Sequence, residues 1–600
     1  MKMMTRLLAL GLCALMVLPL VACGAVSEDD VAEIAPTPVM DVADLSKLAA
    51  YEDQFPNKTP EESAAIWEWA HKVVEDWYAR YQELLADMKT EKKVEGFKKD
   101  DSEYSRTIIV ARNYQKVIKG QGTKRATRTL SAVKGWAESK WAKTTFERTE
   151  FGGFKDEANR QKATGFFYVK KLNGRWFFID PLGYPCILGA IQGVVPVYSN
   201  NSDQEAWVMK EFGSSEKWAI ATTTKLKNDH GAYGTTGFIG SGDLLYDVPE
   251  GLINVSCAGP GITSWGKEIG IAWDAGSTYF DPNISDYSKQ GNEGKKKCNM
   301  VMPVFDRSFI EYMDEAGKTM LAPYANESRI VAWSCANEIP IKVDMLDRYL
   351  KYTDPYYMAE NYPNNPKVEY YYETYAVTMT WVRFMTGKDT PAQGDITDDL
   401  RALFLAFIYD HLLYVCEQAY RKYVPNHLFL GIRWLSNGEA IVVDESNTIL
   451  ARPWLARSVA RYSDLMAINW YGRYYAQSET YEDFATWTQG KPLFLTEFAG
   501  WTEENTGYNM PDHDSASCFA TQEERAAYFE HITLEWMEWD TIIGWSWYRY
   551  NHYKVGTTQK SVTGIVSDHG VYDAYMQASM DRINNMAYNI AHYLHERRGK

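Results

Sequence analysis

From about residue 165 onward, short runs of apolar residues alternate with longer segments of helical periodicity. Short apolar strands separated by helices are typical of parallel strands that are buried on both faces. The predicted strands are 184–190, 233–239, 299–305, 330–336, 428–434, 465–471, 492–497 and 542–548. The helical patterns between or after them include 306–321, 396–424, 452–463, 521–538 and 573–597.

Eight such units predict an α/β protein built on a (β/α)8 TIM barrel, with residues 161–600 as the barrel domain. Two long segments, 240–298 and 342–395, are expected to be loop insertions. The alternative is an open, doubly wound sheet. That alternative is weakened because no glycine-rich phosphate loop follows the first predicted strand.

A hairpin pattern precedes the barrel. The run 166–169 is followed by a turn at Asn173-Gly174, a second run at 176–179 and another turn at 180–183. Asn-Gly suits the positive φ angles of a tight hairpin turn. The order of strand, turn, strand, turn and strand therefore predicts a small antiparallel unit that leads into the first barrel strand.

Residues 46–160 are predicted to form a small, mostly helical N-terminal extension. The clearest signal lies at 59–88, where apolar residues recur with helical spacing. Thr59 suits the N-cap position, and Pro60 suits the first helical position. Residues 90–160 are polar and basic, and their pattern assigns no clear elements.

The first 23 residues resemble a bacterial lipoprotein signal. Lys2 and Arg6 precede an apolar run, and Leu20-Val21-Ala22-Cys23 places small residues directly before a cysteine. A charged, then apolar segment is typical of a secretory signal. The alternative is an ordinary signal peptide with an unrelated cysteine. We expect a secreted protein held at the bacterial cell envelope or cell surface by lipid on Cys23, with 24–45 as a flexible tether and no membrane-spanning helix.

The composition limits the partners. The net charge is −16, which argues against nucleic acid as a ligand because phosphates require basic patches. Aromatic residues make up 14% of the chain. They fit both a large core and the stacking of rings on sugars.

The cysteines and acids predict no metal or other cofactor. Outside the predicted signal, six cysteines remain, and their spacing matches no zinc pattern. Cys186 and Cys335 lie in apolar runs and are expected to be buried thiols, whereas the pairing of Cys257 with Cys298 stays open. The segment 281–286 lacks key features of a calcium loop, and no Gly-x-Ser-x-Gly nucleophile motif is present.

Two glutamates follow predicted strands at the end where barrels place their active sites. Glu338 follows the fourth strand and Glu497 follows the seventh. Asn-Glu occurs three times, but only Asn337-Glu338 lies at the C-terminal end of a strand. Two carboxyl groups that flank a glycosidic bond can hydrolyse it without a cofactor, one as acid and one as nucleophile. The alternatives are a structural acid that binds backbone amides for Glu338 and an acid paired with a neighbouring arginine for Glu497.

This order of acids resembles glycoside hydrolase clan A, whose members are retaining (β/α)8 enzymes. Three stretches are most similar to the β-agarases of glycoside hydrolase family 50: 165–189, 429–433 and 469–471. The resemblance covers about residues 165–595. It implies that Glu338 is the acid/base and Glu497 the nucleophile.

The resemblance also implies roles for three neighbours of the acids. Asn337 would bind the sugar 2-hydroxyl, Tyr471 would contact the nucleophile, and Trp547 would form the floor of the −1 subsite. Asn337 could instead cap a helix, and Tyr471 and Trp547 could be core residues. Ala336 stands where those agarases usually carry Asp, and their large β-rich N-terminal domain is replaced by the short extension. Another β-galactan or a different β-glycan therefore stays open beside agarose.

Six further residues are candidates for substrate binding. Arg433 could bind substrate or form a salt bridge with a catalytic acid. Trp434 and Trp265 could be sugar-stacking platforms, and Asn469 belongs to the motif that resembles the family. The remaining candidates follow the eighth and first strands, respectively: His552 and Gln192.

The sequence thus predicts a retaining β-glycosidase that acts on an extracellular polysaccharide or its oligosaccharides. A non-catalytic, surface glycan-binding lipoprotein is the alternative, and it would not need both glutamates. A transglycosylase on the same site is a third possibility. The sequence leaves the oligomeric state, the sugar and the linkage open.

Overall fold

A computed structural model of the protein describes residues 35–45, 54–197, 201–238, 251–269, 272–273, 280–281, 301–339, 341–362, 366–436, 448–504, 506, 517–555 and 559–599. The predicted signal at 1–23, which includes Cys23, lies outside these ranges, and so does Cys298. The larger parts of the predicted insertion 240–298 and of the segment 281–286 also lie outside them. Residues 35–45, which the sequence assigns to the tether 24–45, pack on the folded domain. Pro36 O accepts a hydrogen bond from Tyr81 (2.9 Å), and Leu45 is buried.

Eight parallel strands close into a barrel, as the sequence predicts. Each strand pairs with the next along the chain, and the eighth pairs with the first. In chain order the barrel strands are Leu188–Gln192, Gly234–Phe238, Ile253–Ala258, Ala332–Asn337, Leu428–Ser436, Met466–Trp470, Leu493–Phe498 and Ile542–Trp547. Glu338 therefore directly follows the fourth strand, and Glu497 lies near the end of the seventh, as predicted.

The third barrel strand differs from the predicted one. It is Ile253–Ala258, inside the predicted insertion 240–298, and it pairs with the second and fourth strands. The predicted run 299–305 is not a strand where it is described, and its Phe305 packs on Phe407 at a ring distance of 4.7 Å. The true strand carries Asn254 and Ser256, which are buried. These polar residues interrupt the apolar run and conceal the strand.

Helices surround the barrel. The predicted helical segments after the strands are helical in the structure, but the closing segment 573–597 is two helices and not one. The insertion 342–395 is largely helical as well. The surrounding helices are Ser202–Phe212, Ser215–His230, Ile262–Glu268, Arg307–Ala316, Met345–Tyr352, Pro355–Asn361, Tyr372–Thr386, Asp398–Tyr423, Pro453–Ala460, Glu479–Trp487, Gln522–Met537, Ala574–Asn584 and Ala587–Arg597.

Short elements complete the chain. They comprise the strand pairs Ala272–Trp273 with Phe280–Asp281 and Tyr553–Val555 with Gln559–Ser561. A π-helical turn at Gly317–Leu321 continues the helix Arg307–Ala316. The 3-10 turns in this part are Ala322–Tyr324, Pro366–Tyr371, Gln393–Asp395 and Ile449–Ala451.

The predicted hairpin before the barrel is present. Strands Tyr168–Leu172, Arg175–Ile179 and Pro185–Cys186 form an antiparallel sheet. Asn173 and Gly174 adopt φ angles of 50° and 94° in its turn. Arg175 donates hydrogen bonds to Met537 O (2.8 Å) and Ile542 O (3.0 Å), so this sheet lies at the N-terminal end of the barrel.

The N-terminal extension is helical only in its first part. The predicted helix is Pro60–Met88, with the capping box of Thr59 and Glu62 in place. Its Trp77 packs on Trp381 and Phe407 of two barrel helices. None of the helices in the described ranges has the length and apolar character needed to cross a bilayer.

The rest of the extension, where the sequence pattern assigns no clear elements, is less helical. A β-hairpin, Arg106–Val110 with Thr123–Thr127, is joined by short helices and turns. These residues lie on the barrel, where tertiary contacts replace a helical pattern of their own. The short elements are Asp101–Glu103, Tyr114–Val117, Leu130–Ala132 and Lys140–Lys143.

The described cysteines are buried, as expected for Cys186 and Cys335, and they form no disulfide with one another. The open question of a Cys257–Cys298 pair lies outside the described residues because it depends on Cys298. Among the residues that the structure describes, no three His, Cys, Asp or Glu side chains are grouped so that they could hold a metal ion.

Candidate active site

The C-terminal ends of five barrel strands bring polar side chains together around Glu338 and Glu497. In a TIM barrel these ends meet at one face, which is where catalytic residues lie. Four of the residues predicted from sequence donate hydrogen bonds directly to one of the two acids: Gln192, Arg433, Asn469 and Tyr471. A fifth, Asn337, is connected to Glu338 through Asn469.

Glu497 is surrounded by donors. Its Oε1 accepts hydrogen bonds from Gln192 Nε2 (3.1 Å) and from Arg433 Nη2, which also forms an ion pair with it. Its Oε2 accepts from the Tyr471 hydroxyl (2.7 Å). A second contact from Arg433 Nη2 to Gln192 Oε1 (3.2 Å) orients the amide. A cation and two neutral donors suit an ionised carboxylate.

Glu338 has a different environment. Its Oε1 accepts one hydrogen bond, from Asn469 Nδ2 (2.7 Å). The same Nδ2 donates to Asn337 Oδ1 (3.1 Å), and the Asn469 Oδ1 accepts from the Thr496 hydroxyl (2.6 Å). The orientation of the Asn469 amide is therefore fixed from both sides.

The backbone at Glu338 is also unusual. Its φ is 51°, a conformation that costs a non-glycine residue roughly 1–2 kcal/mol. The Glu338 N–H donates to Arg433 O (2.9 Å), which continues the pairing of the fourth and fifth strands by one residue. The left-handed conformation of Glu338 thus ends the fourth strand, while its N–H still forms a hydrogen bond with the fifth strand.

The electrostatics favour the protonated form of Glu338. Burial, and then the charge of Glu497, raise the pKa of Glu338 to about 7. The hydrogen bond from Asn469 and the charge of Arg433 act in the opposite direction but do not overcome burial. A carboxyl group whose pKa is raised towards neutrality can hold a proton at neutral pH, which is what a general acid requires.

Solved structures that are similar to this chain over most of its length include BpGH50 and two agarases. BpGH50 matches with 17% identity and a TM-score of 0.61, and the match covers 82% of this chain and 96% of that one. The agarase AgWH50C matches with 17% identity and a TM-score of 0.52, covering 75% and 68% of the two chains. An exo-β-agarase matches with 16% identity and a TM-score of 0.52, covering 74% of this chain and 68% of its own.

This chain has the fold of the GH50 structures. No model of a protein family matches the sequence, and no curated protein is similar to it in sequence. The resemblance to family 50, stated from short motifs, is confirmed for the fold.

Within this GH50-like barrel, Trp547 does not lie with the acids. It is fully buried, its ring packs on Phe498 (5.0 Å between centroids), and its Nε1 donates to Thr563 O (2.9 Å). Alternate residues of a strand point to opposite sides. Glu497 faces the barrel mouth, so Phe498 and the Trp547 packed on it face the helices. The structure thus corrects the predicted place of Trp547 in the −1 subsite.

Two other tryptophans and one histidine are corrected for the same reason. Trp434 is 1% exposed and packs on Tyr409 of a barrel helix. Trp265 is also 1% exposed and packs on Phe309. Neither ring has a free face for a sugar. His552 is buried, and burial followed by the nearby charge of Arg525 lowers its pKa to about 3.

The sequence prediction missed two aromatic residues near the acids. Trp501 lies 6.0 Å from Tyr471 between ring centroids. Tyr548 packs in the same small cluster as Trp501 and Tyr471. Tyr548 directly follows Trp547, so the correct phase of the strand alternation would have selected it. Thr496, which orients Asn469, was also missed because a buried threonine in a strand carries no signal of its own.

Asn469→Ala is expected to move the basic limb of the pH–activity profile to higher pH. The hydrogen bond from Asn469 lowers the pKa of Glu338, so its loss raises that pKa further and keeps the acid protonated at higher pH. The measurement is kcat/KM against pH for hydrolysis of a glycan substrate. Thr496→Val should shift the limb in the same direction but less, since the amide remains. An unchanged profile in both variants would contradict this arrangement.

Proposed function

We propose that this protein is a retaining β-glycosidase in which Glu497 is the nucleophile and Glu338 the acid/base. The observation that carries the proposal is the contrast between the two acids. Glu497 accepts from Arg433, Gln192 and Tyr471, whereas Glu338 has a pKa raised to about 7 by burial and by the charge of Glu497. Two neighbouring carboxyl groups with different protonation states are what double displacement requires.

In the first step, Glu497 attacks the anomeric carbon and Glu338 gives its proton to the departing glycosidic oxygen. The C–O bond to the leaving sugar breaks as the bond to Glu497 forms, which gives a covalent glycosyl-enzyme. Arg433 and Tyr471 hold the attacking carboxylate in place. Burial raises the pKa of Tyr471 well above its ordinary value, so its hydroxyl keeps its proton and remains a donor.

In the second step, Glu338 is ionised and removes a proton from water. The water oxygen attacks the anomeric carbon, the ester bond to Glu497 breaks, and both groups return to their first state. Two inversions give overall retention. The charge of Glu497 is neutralised in the intermediate, which removes one of the causes that raise the pKa of Glu338. This change suits its switch from acid to base.

An extracellular polysaccharide or its oligosaccharides is the proposed substrate, and agarose or another β-galactan is the first candidate. Two of the similar structures are named as an agarase and an exo-β-agarase, and this chain shares their barrel and the motifs that resemble family 50. Ala336 and the short N-terminal extension differ from that family, so a different β-glycan is included among the candidates.

The test is reducing-sugar release from a panel of red-algal and plant β-glycans. Wild-type activity that is lost in both Glu338→Gln and Glu497→Gln supports the proposal. Binding of a glycan without release, unchanged in both variants, supports the non-catalytic lipoprotein instead. Products longer than the substrate at high acceptor concentration would identify a transglycosylase.

We further propose that the mature protein is anchored to the bacterial cell envelope by lipid on Cys23. The support is the sequence Leu20-Val21-Ala22-Cys23 after an apolar run. Cys23→Ala is expected to abolish labelling by a fatty-acid analogue, because the thiol that carries the lipid is removed. Cys13→Ala is the matched control. Fatty-acid labelling that survives Cys23→Ala would contradict the anchor.

A further inference from the structure

The hairpin of the N-terminal extension is strongly basic. Residues 106–128 contain seven Lys and Arg and no Asp or Glu, although the whole chain has a net charge of −16. The first and last of the seven have structural partners. Arg106 pairs with Glu523 (3.0 Å), and Arg128 pairs with Glu103 (2.7 Å) and Glu538 (2.9 Å).

The end of this hairpin is fixed to the loop that follows the seventh barrel strand. Ala111 and Cys518 exchange backbone hydrogen bonds (2.8 and 3.4 Å), and Cys518 pairs in turn with Trp501. The Tyr114 hydroxyl donates to Ala520 O (3.3 Å). Val117 is buried in the same cluster as Trp501. The hairpin is therefore part of the barrel face that carries the acids.

Few side chains separate the hairpin from Glu497. Trp501, in the cluster with Val117, lies 6.0 Å from Tyr471 between ring centroids. The Tyr471 hydroxyl in turn donates to Glu497 (2.7 Å). A polysaccharide chain long enough to pass beyond the acids on this side would meet the hairpin.

The five basic residues in the middle of the hairpin form no ion pair with any described acid. Three of them are exposed lysines, and Arg125 lies over the rings of Tyr474 and Tyr475. Glu504 accepts from the Gln522 N–H, and together with Glu503 it lies near Tyr114. With these two acids counted against the five basic residues, the hairpin region still has an excess of positive charge. The five basic residues are Arg112, Lys116, Lys119, Lys124 and Arg125.

Like charges held close together repel one another and attract an anionic ligand to that surface. The hairpin is basic in an otherwise acidic protein. The surface that a long substrate would reach beyond the two acids is therefore positively charged. A neutral glycan would gain nothing from this charge.

We propose that, among the candidate glycans, the substrate is an anionic polysaccharide and not neutral agarose, and that this basic hairpin binds its sulfate or carboxylate groups beyond the cleaved bond. The inference rests on the proposed function, and it specifies the substrate class for the same site. Sulfate esters and uronate carboxylates share the chemistry that lysine and arginine recognise.

The test is a triple variant, Lys116→Gln/Lys119→Gln/Lys124→Gln, which changes only exposed side chains. On an anionic glycan its KM should rise about tenfold while kcat stays unchanged. Rising salt should raise the wild-type KM and have little effect on the variant, because salt screens exposed charges. The probes are κ-carrageenan for sulfate, β-1,4-linked polymannuronate for carboxylate and agarose as the neutral glycan.

The matched control is Lys92→Gln/Lys93→Gln/Lys171→Gln, which removes the same charge from exposed lysines elsewhere. Binding of each probe is also measured by affinity electrophoresis with Glu497→Gln, which does not require turnover. Equal KM values for the triple variant and the control, or a wild-type enzyme that prefers agarose and ignores salt, would overturn the anionic substrate while leaving the glycosidase in place. No hydrolysis of any glycan would instead overturn the proposed function.

Discussion

Replacement of Glu497 by alanine should reduce glycan hydrolysis by more than about 10⁴-fold, because no other group can form the covalent intermediate. Azide should restore turnover of an activated aryl glycoside. The small anion fits the space left by the carboxylate and attacks from the same face, so the product is a glycosyl azide of inverted configuration. The measurement is the rate with and without azide, together with the anomeric configuration of the product.

Glu497→Gln is the companion variant that separates chemistry from folding. Arg433 is buried and forms its ion pair with Glu497, and an unpaired buried charge costs about 3–5 kcal/mol. Alanine is therefore expected to lower the melting temperature, whereas glutamine keeps an acceptor for Arg433. Equal loss of activity in both variants with a smaller loss of stability in glutamine assigns the effect to the nucleophile. A retained azide product from Glu497→Ala would contradict this assignment.

Much of the barrel could be predicted because its strands are buried on both faces and read as continuous apolar runs. The third strand failed for a physical reason. Asn254 and Ser256 are 0% and 1% exposed, and they are satisfied inside the barrel, where the Ser256 N–H donates to Asn254 Oδ1 (3.2 Å). A strand with buried polar residues does not look apolar, while 301–305 looks apolar because it packs against a helix.

The positions of Glu338 and Glu497 followed from strand ends alone, since the carboxyl ends of parallel strands share one face. The aromatic neighbours did not. The sequence selected Trp547. Which residues of the eighth strand point to the barrel mouth depends on the rotation of the strand about its axis, and the sequence does not show this rotation because both faces of the strand are apolar. Tyr548 and Trp501 became visible only through contacts with Tyr471.

The N-terminal extension shows a second limit. The helix Pro60–Met88 carries its own capping and periodicity, so the sequence predicts it. The hairpin at 106–127 depends on distant partners. Its Ala126 O accepts from the Tyr475 hydroxyl (3.1 Å), and Ala111 pairs with Cys518. Structure held by contacts hundreds of residues away leaves no local pattern to find.

Replacement of Glu338 by glutamine should reduce polysaccharide hydrolysis by about 10²–10⁴-fold, the usual contribution of a general acid or base. An alkoxide leaving group needs the proton, whereas a nitrophenolate does not. Formation of the glycosyl-enzyme from an activated aryl glycoside should therefore be nearly preserved, while its breakdown remains slow because no base activates water. A fast burst of phenolate followed by slow turnover is the expected time course.

The pH profile provides the decisive comparison. The pKa of Glu338 is raised to about 7, so its acid form is lost as the pH rises through that value, and wild-type kcat/KM on a polysaccharide should fall above about pH 7. That limb should be absent in Glu338→Gln. Glu504→Gln, an acid of the loop after the seventh strand, is the control that should keep it. If the limb persists in Glu338→Gln, the titrating acid is another residue. The contrast between Glu338 and Glu497 would then arise from burial alone and would not reflect a division of roles.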